Sequence, residues 1–580
     1  MYRPVLSPVA DSPALSSLVA LLPLLTLFIL LGGARMKAHW AGLASLGVAL
    51  AVAMAVYDMP AGLALLSASQ GAAFGLFPIM WIVVAALWLY QLTVVSGYFE
   101  DLRRAFGLIS DDPRIQALII AFCFGGLLEA LAGFGAPVAI TGVMLMALGF
   151  SPVRAAVTVL VANTAPVAFG AIAIPIITAG NLTGIPYTDI GAYVGRQTPL
   201  LALCVPLLLV WLVDGRRGVR QTWPAALVCG AVFGAAQFLS ATYVSVELTD
   251  IIASLAGVAA LILLLRVWRP QGSREAAADL ARKDGERGES GRSEKDGKSE
   301  RDREHGEARK AGEVPSDAAA VLLDPGGGEP PGSRRRIALA LCPYLIVIAV
   351  FSTAKLLGPA KEFLARSDIA VPWPGLDGRI LTAAGEVSAT TVYTLPWLSS
   401  AGTLLLLSGV LVAALYRVRP AAAAREFAAT VAKLRWALLT VAAVLGLSYV
   451  MNLSGQTLTI GSWIAGAGAA LAFLSPVLGW LGTAVTGSDT SANALFATLQ
   501  QAAGAKAGID PTLLVAANTS GGVVGKMISP QNLTIAATAV GLLGRETVLF
   551  RATLGWSLLL LAVMCVLVHL QSGVLSGMLP

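Results

Sequence analysis

Long apolar stretches separated by short polar ones run through most of the chain. A helix needs roughly 20 apolar residues to cross about 30 Å of hydrocarbon. Ten stretches approach or exceed that length with few interruptions, at about 14–34, 40–57, 77–97, 190–213, 222–241, 249–268, 337–358, 397–416, 436–453 and 548–570. This pattern predicts an all-α integral membrane protein.

Two further regions, at about 113–180 and 475–543, are apolar but are interrupted repeatedly by Gly, Pro, Asn and Asp. Irregular backbone at membrane depth is tolerated only where it is buried in protein or lines an aqueous cavity. We predict that each region contains a re-entrant hairpin followed by a broken helix that crosses once, which gives about 12 transmembrane helices in total. The predicted hairpins are 113–149 and 475–505, and the predicted broken helices are 152–180 and 511–543.

The two irregular regions carry similar landmarks in the same order, which predicts an internal repeat. Ser96-Gly97 is matched by Ser454-Gly455, Gly133-Phe134-Gly135-Ala136-Pro137 by Gly487-Ser488-Asp489-Thr490-Ser491, Gly149-Phe150-Ser151-Pro152 by Gly508-Ile509-Asp510-Pro511, and Val161-Ala162-Asn163-Thr164 by Ala516-Ala517-Asn518-Thr519. The alternative is a chance similarity between helices rich in small residues, and four ordered landmarks argue against it.

Basic residues, which mark the cytoplasmic side of a membrane protein, give the two repeats opposite directions. Arg103 and Arg104 follow the first Ser-Gly landmark, so the span before it ends inside. Lys433 and Arg435 precede the span that ends at the second landmark, so that span ends outside. Reversed direction with the same motif order is typical of inverted-repeat secondary transporters. The same rule places both termini outside the cytoplasm.

Charge is concentrated in one insert. The chain is 56% hydrophobic and 13% charged, and residues 273–336 hold 29 of its 74 Lys, Arg, Asp and Glu residues. A segment this polar buries too little apolar surface to fold alone, so we predict a disordered cytoplasmic linker. The predicted organisation is a first repeat at 1–213, two connecting helices at 214–269, the linker at 270–335 and a second repeat at 336–580.

The composition argues against an enzyme and against nucleic-acid binding. The five cysteines lie apart in apolar runs, and the three histidines are scattered, so neither predicts a disulfide, a metal site or a catalytic centre. The net charge of +6 is spread over loops beside apolar segments, where it marks membrane topology. We expect a transporter without a bound cofactor.

Helix breaks at membrane depth suit the binding of an anion. The free amides of a restarting helix and its dipole attract negative charge, while Asn, Ser and Thr offer hydrogen bonds to a carboxylate and a neighbouring hydroxyl. The sequences Asn163-Thr164-Ala165-Pro166 and Asn518-Thr519-Ser520-Gly521-Gly522 predict such breaks. The candidate substrate-binding residues are Gly133, Gly135, Asn163, Thr164, Ser488, Asp489, Thr490, Ser491, Asn518, Thr519, Ser520 and Lys526.

Three ionisable residues within these regions are candidates for function, because charges inside a membrane are costly. Lys526 is a candidate for holding a substrate carboxylate, and its alternatives are an internal ion pair or a snorkelling side chain. Asp489 and Glu129 are candidate proton carriers, since an apolar environment favours the neutral form of a carboxyl group. Asp489 is alternatively a cap for the restarting helix. Arg196 is a weaker candidate, with a structural role as its alternative.

Four long stretches resemble the bacterial L-lactate permease family, and the resemblance extends over the whole chain. They are residues 122–141, 162–171, 481–496 and 515–531, which contain Leu-Leu-Glu129-Ala-Leu-Ala-Gly-Phe-Gly, Asn163-Thr-Ala-Pro, Gly487-Ser-Asp-Thr-Ser and Asn518-Thr-Ser-Gly-Gly-Val-Val-Gly-Lys. The resemblance implies proton symport of L-lactate, D-lactate and glycolate across the bacterial inner membrane. It also implies an elevator motion of paired hairpins, and it leaves open whether the protein is a homodimer.

The nearest alternative is a sodium-coupled di- or tricarboxylate transporter of the same architecture. Such a site needs more positive charge near the breaks, and Lys526 is the only cation within them. An integral-membrane enzyme or a sensor is a further alternative. The former lacks a convergent nucleophile, base or metal set, and the latter lacks a folded output domain.

Overall fold

The computed structural model describes residues 1–34, 36–101, 109–133, 135–273, 275–276, 334–382, 385–542 and 545–580. Arg35, Arg103, Arg104, Phe134 and most of the predicted linker at 270–335 lie outside the described residues.

Helices make up nearly all of the ordered secondary structure. In the first half they are α1 Pro13–Ala20, α2 Leu22–Phe28, α3 Ala38–Ala55, α4 Ala61–Phe74, α5 Trp81–Val95, α6 Pro113–Gln116, α7 Gly125–Ala132, α8 Ala136–Ala147, α9 Pro152–Ala162, α10 Gly170–Thr183, α11 Tyr187–Val194, α12 Thr198–Leu239 and α13 Thr249–Val267. In the second half they are α14 Arg334–Leu356, α15 Gly358–Arg366, α16 Ala401–Leu415, α17 Pro420–Ser454, α18 Gln456–Ile464, α19 Ala470–Thr486, α20 Asp489–Ala507, α21 Pro511–Gly525, α22 Pro530–Ala539 and α23 Glu546–Gln571. A π-helical segment, Ala117–Phe124, joins α6 to α7.

Nine helices among the described residues are long and apolar enough to cross a membrane, or ten if the bent pair α9 and α10 counts as one span. The prediction of a helical membrane protein is therefore confirmed. Two predicted spans, 190–213 and 222–241, belong to one helix, α12, which is interrupted only at Gly215 (φ 63°, ψ −149°). A glycine in that conformation reverses the chain without a loop, so the sequence pattern predicted a wider gap than exists.

A small antiparallel sheet is the exception to the helical architecture. Strands β1 Ile369–Pro372 and β2 Val392–Leu395 pair with Ile369 opposite Leu395. Tyr2 extends this region, because its N–H donates to the carbonyl of Arg379 and its carbonyl accepts from the N–H of Leu381. The beginning of the chain therefore lies on the same side of the helices as the sheet.

Each of the two irregular regions contains a pair of helices joined at glycine residues, followed by helices that are separated by a short non-helical segment. We call residues 113–147 hairpin 1 and residues 470–507 hairpin 2. The α-helical structure after each hairpin is interrupted once, at residues 163–169, which we call break 1, and at residues 526–529, which we call break 2. The apolar stretch within Pro113–Leu131 is completely buried in the protein, whereas only 33% of the stretch within Pro13–Leu31 is buried. The first helical segment of hairpin 1 therefore lies inside the protein, while its second helix, α8, reaches the surface at Val143, which is 46% exposed.

The break predicted at residues 518–522 is wrong, since α21 continues without interruption to Gly525. The small residues there permit close packing against α19. A Cβ atom on Gly521 would lie 2.0 Å from the carbonyl oxygen of Pro476, and one on Gly522 would lie 1.9 Å from Oδ1 of Asp489. Tight approach of helix backbones requires such residues in membrane proteins, so glycine at these positions indicates packing.

Candidate substrate site

The two hairpin tips and the two breaks meet in one place. A pocket of about 380 Å³ lies between them. Its lining residues are Glu129, Gly133, Val167, Gly170, Ala171, Ile174, Pro175, Gly487, Ser488, Asp489, Thr490 and Lys526. Six of these, Glu129, Gly133, Ser488, Asp489, Thr490 and Lys526, are residues that the sequence singled out.

Glycines shape the tip of hairpin 1. Gly133 (φ 36°) ends α7 and Gly135 (φ 85°) precedes α8, and both conformations are unfavourable for residues with a Cβ atom. A Cβ atom on Gly135 would also lie 2.3 Å from Cδ1 of Ile535 in α22. The tip of the first hairpin therefore packs directly against the segment that follows break 2.

The tip of hairpin 2 is a single glycine followed by a capped helix. Gly487 (φ 79°) ends α19, and the Ser488 hydroxyl accepts a hydrogen bond from the N–H of Ser491 at 3.3 Å. Ser488 is thus the cap of α20, and Asp489 is its first residue. The Asp489 side chain is therefore not the cap of α20, which was the alternative role predicted for it.

Lys526 and Glu129 form an ion pair at the centre of the site. Lys526 Nζ lies 2.6 Å from Glu129 Oε1, and the two side chains are 9% and 4% exposed. Asn163 of break 1 donates from Nδ2 to Glu129 Oε2 at 3.1 Å. One carboxylate therefore joins hairpin 1 to both breaks, and both of its oxygens accept a hydrogen bond.

Asp489 has a different environment. Thr483 Oγ1 donates to its Oδ1 at 3.3 Å, while its Oδ2 is buried and has no hydrogen-bond partner among the described residues. The residue is 3% exposed, and it forms no ion pair in the described part of the chain. Burial of an ionised carboxylate without such compensation is expensive, so this position favours the neutral acid.

Break 1 has an unusual backbone beside the pocket. The chain re-enters the helix at Gly170 through three consecutive residues in the left-handed region, Ala171 (φ 45°), Ile172 (φ 59°) and Ala173 (φ 57°). Non-glycine residues pay of order 1–3 kcal/mol each for such a conformation, and strain of this kind is concentrated at functional sites. Gly170 itself leaves space for Glu129, whose Oε1 would lie 2.7 Å from an added Cβ atom.

Other residues predicted for the site lie elsewhere. Asn163 and Thr164 line a neighbouring cavity of about 180 Å³ that also contacts Lys526. Asn518 and Thr519 are fully buried in α21, where both hydrogen-bond to Asn493 Oδ1. The remaining predicted residues make contacts outside the pocket lining. Gly135 packs against Ile535, the N–H of Ser491 donates to Ser488 Oγ, and the Ser520 hydroxyl donates to Gln197 Oε1.

Arg196 takes the structural role that was its alternative. Its Nη1 donates to the carbonyl of Ala192 at 2.8 Å and to Thr242 Oγ1 at 3.3 Å, and its guanidinium lies over the ring of Phe238.

Comparison with known proteins identifies the family. The family model described as L-lactate permease matches residues 16–575. The chain is 43% identical to the L-lactate permease of Bacillus subtilis, with 99% of each chain covered, and 41% identical to the glycolate permease GlcA of Escherichia coli, with 100% and 99% covered. It is 39% identical to the L-lactate permease of Salmonella typhimurium, with 98% and 97% covered. The chain belongs to the L-lactate permease family.

Membership of this family makes the protein a transporter and not an enzyme, as its composition indicated. Among solved structures, the YdaH transporter of Alcanivorax borkumensis matches 88% of each chain, with 15% identity and a TM-score of 0.42.

The sequence missed several polar residues of this permease that lie beside the pocket. Asp250, at the start of α13, is fully buried and accepts a hydrogen bond from Gln237. Asn493 joins α20 to α21 and donates to the carbonyl of Pro175, which lines the pocket. The sequence signal for both residues is a carboxylate or an amide inside an apolar run, away from the helix breaks.

Proposed function

We propose that this permease takes up L-lactate, D-lactate and glycolate by proton symport. The observation that carries the proposal is a single cation, Lys526, at the point where both hairpins and both breaks converge. Among the described residues that line the pocket, it is the only basic side chain. One buried cation suits one carboxylate, and the relatives in the comparison are named for lactate and glycolate.

The ion pair provides a way to bind the substrate anion. Lys526 carries three N–H donors, and one of them is directed at Glu129. A lactate carboxylate that enters the pocket shares this ammonium group with Glu129, while the hydroxyls of Ser488 and Thr490 offer partners to the 2-hydroxyl group. Charge-assisted hydrogen bonds of this type are the strong ones in a buried site.

Asp489 is the better candidate for the proton carrier. Glu129 is paired with Lys526 and accepts from Asn163, so both of its oxygens already have partners. Asp489 lines the same pocket without a cation, so it holds a proton more readily. Bringing a proton to Asp489 also reduces the negative charge that an incoming lactate anion meets.

Contacts at the ends of the hairpins support an inverted repeat. The base of hairpin 1 is tied by Arg114 to Asp214 at 3.2 Å and to the carbonyl of Gln271 at 2.7 Å. The base of hairpin 2 is followed by Asp510, which accepts from the hydroxyl of Tyr193. The helix α12 separates these two places, since the sixteen steps from Thr198 to Asp214 rise about 24 Å.

The two hairpins therefore enter from opposite faces, and we propose 12 crossings, both termini outside, and an elevator movement of the paired hairpins in the bacterial inner membrane. Hairpin 1 opens towards the face of Arg216 and Arg217, which is the cytoplasmic side by the charge rule. The N-terminal residues, the β-sheet and Ser454 lie together, because the Tyr2 hydroxyl donates to the carbonyl of Ser454.

A counterflow experiment tests the substrate class. Proteoliposomes loaded with unlabelled L-lactate are expected to take up labelled L-lactate, and external glycolate and D-lactate are expected to compete while succinate and citrate are not. Exchange of this kind requires no proton gradient, so it reports on recognition alone. Strong competition by succinate would favour the di- or tricarboxylate alternative and would assign the pocket a second anionic subsite.

A further inference from the structure

A second buried carboxyl group lies behind break 1, outside the pocket lining. Asp250, in the first turn of α13, is 0% exposed. Its Oδ1 accepts a hydrogen bond from Gln237 Nε2 at 3.1 Å, and its Oδ2 has no hydrogen-bond partner among the described residues. No basic side chain in the described part of the chain forms an ion pair with it.

Two other buried carboxylates near helix ends, Asp112 and Glu247, are compensated. Asp112 accepts from the fully buried guanidinium of Arg114 at 2.7 Å. Glu247, three residues before Asp250, accepts from Tyr187 at one oxygen and from Ser245 at the other. In contrast, one neutral amide is the only donor that Asp250 has in the described structure. An isolated ionised carboxylate is very costly in such a place, so this position favours the neutral acid.

Hydrogen bonds through Gln237, together with two residues of the break 1 backbone, connect Asp250 to the substrate site. Gln237 Nε2 also donates to the carbonyl of Ala165 at 3.2 Å, within break 1. Asn163, two residues earlier, donates to Glu129, the partner of Lys526. Asp250 is thus linked to the backbone segment that positions the central ion pair.

Polar oxygens without partners accompany this path. Gln237 Oε1, Ser254 Oγ and Asn163 Oδ1 are all buried without a hydrogen-bond partner among the described residues. Ser254 lies one turn after Asp250 and would be 2.7 Å from a Cβ atom on Gly126, which itself lies one turn before Glu129. These atoms make the region around Asp250 polar although it lies inside the protein.

We propose that Asp250 is a second proton-binding site of the transport cycle, loaded together with Asp489. The charged groups that face it are Glu129 and Lys526, with Glu247 at the adjacent helix end. When Asp250 and Glu129 are both ionised, two negative charges act on the single Lys526 and oppose a lactate anion. A proton on Asp250 Oδ2 removes one of them, and its release on the other side of the membrane restores it.

This inference rests on the proposed proton symport and makes a quantitative prediction. Two protons with one lactate anion move one net positive charge, so uptake generates a current. The stoichiometry is measured in proteoliposomes from the membrane potential that just balances known gradients of lactate and protons. We expect two protons per lactate for the unmodified protein and one for Asp250→Asn, which keeps lactate exchange and uptake because Asp489 still discharges.

The matched control is Glu247→Gln, which changes a neighbouring buried carboxylate and is expected to keep two protons per lactate. Electroneutral uptake by the unmodified protein, or two protons per lactate in Asp250→Asn, would overturn the inference while leaving proton symport intact. Sodium-stimulated uptake that Asp250→Asn abolishes would also overturn it, since the site would then bind a metal cation. Uptake without any proton dependence in the unmodified protein would instead refute the proposed function. Electroneutral uptake by the unmodified protein would overturn the inference even if Asp250→Asn fails to fold.

Discussion

Hairpin 1 and hairpin 2 each place one acidic residue at the pocket, but the two residues have opposite environments. Glu129 of hairpin 1 is held between Lys526 and Asn163, and both of its oxygens accept hydrogen bonds. Asp489 of hairpin 2 has one long hydrogen bond from Thr483 and no cation. The two acids are therefore suited to different roles: Glu129 balances the charge of Lys526, and Asp489 has the environment expected of the proposed proton carrier.

The first helical segments of the two hairpins also differ in how deeply they are buried. The apolar window of Pro113–Leu131 is entirely buried, and Arg114 fixes its base to α12. Hairpin 2 exposes large apolar side chains along α19, including Phe473, Leu474 and Leu481, each about 40% exposed or slightly more. The ion pair thus joins the buried first segment of hairpin 1 to break 2, where water competes with it little.

The largest effect is expected from removing the cation. Lys526→Met leaves Glu129 buried without its partner, and breaking a buried pair in this way costs about 3–5 kcal/mol. We expect lactate uptake to be lost and thermal stability in detergent to fall sharply. Adding Glu129→Gln should restore most of the stability but no uptake. Uptake by the double variant would contradict the assignment of Lys526 to the substrate carboxylate.

The next largest effect separates the two acids. Because Asp489 lines the pocket, Asp489→Asn mimics the permanently loaded state and blocks the return of the empty carrier. We expect this variant to lose uptake driven by a proton gradient, at least roughly tenfold by the usual loss for a proton-transfer group, but to retain lactate exchange in counterflow. Equal loss of both activities would remove the coupling role from Asp489.

A smaller effect is expected where α21 makes room for Asp489. Gly522→Ala places a Cβ atom against Asp489 Oδ1 and Thr483 Oγ1, and overpacking of this kind costs about 1–3 kcal/mol. The variant should be less stable and should take up lactate more slowly. Gly555→Ala in α23, where an added Cβ atom meets nothing within 4 Å, is the matched control. Similar behaviour of the two variants would show that the close approach is unimportant.

The smallest effect is expected from shortening the charged insert. Deletion of residues 278–330 keeps Glu275, which pairs with Arg217 at 3.0 Å, and Arg336, which pairs with Asp101 at 2.7 Å. Since both hairpins remain intact, lactate uptake should be largely preserved. A deletion variant that inserts correctly but does not transport would show that the insert is more than a spacer.

The sequence located much of the candidate site because its strongest signals are local. Gly133, Gly487 and Ser488 mark the ends of helices inside apolar regions, and Lys526 and Asp489 are charges where charge is costly. These signals need no knowledge of the tertiary structure. All five residues line one pocket in the structure, while their roles in transport remain predictions.

The features of the site that the sequence could not predict depend on contacts between segments that are distant along the chain. Glu129 and Lys526 are 397 residues apart, so their pairing is visible only once both halves are folded together. The run 518–522 looks like a break, although its glycines serve close packing with α19, because a small residue has the same appearance in both roles. Asp250 was missed because it lies outside the repeated landmarks.

The most direct test of the account is the uptake of labelled L-lactate into proteoliposomes under an inward proton gradient, compared with an inward sodium gradient of equal size. The account predicts accumulation driven by protons, abolished by a protonophore and unchanged by sodium. Accumulation that follows the sodium gradient and survives the protonophore would contradict it, since Asp489 would then have no proton to carry.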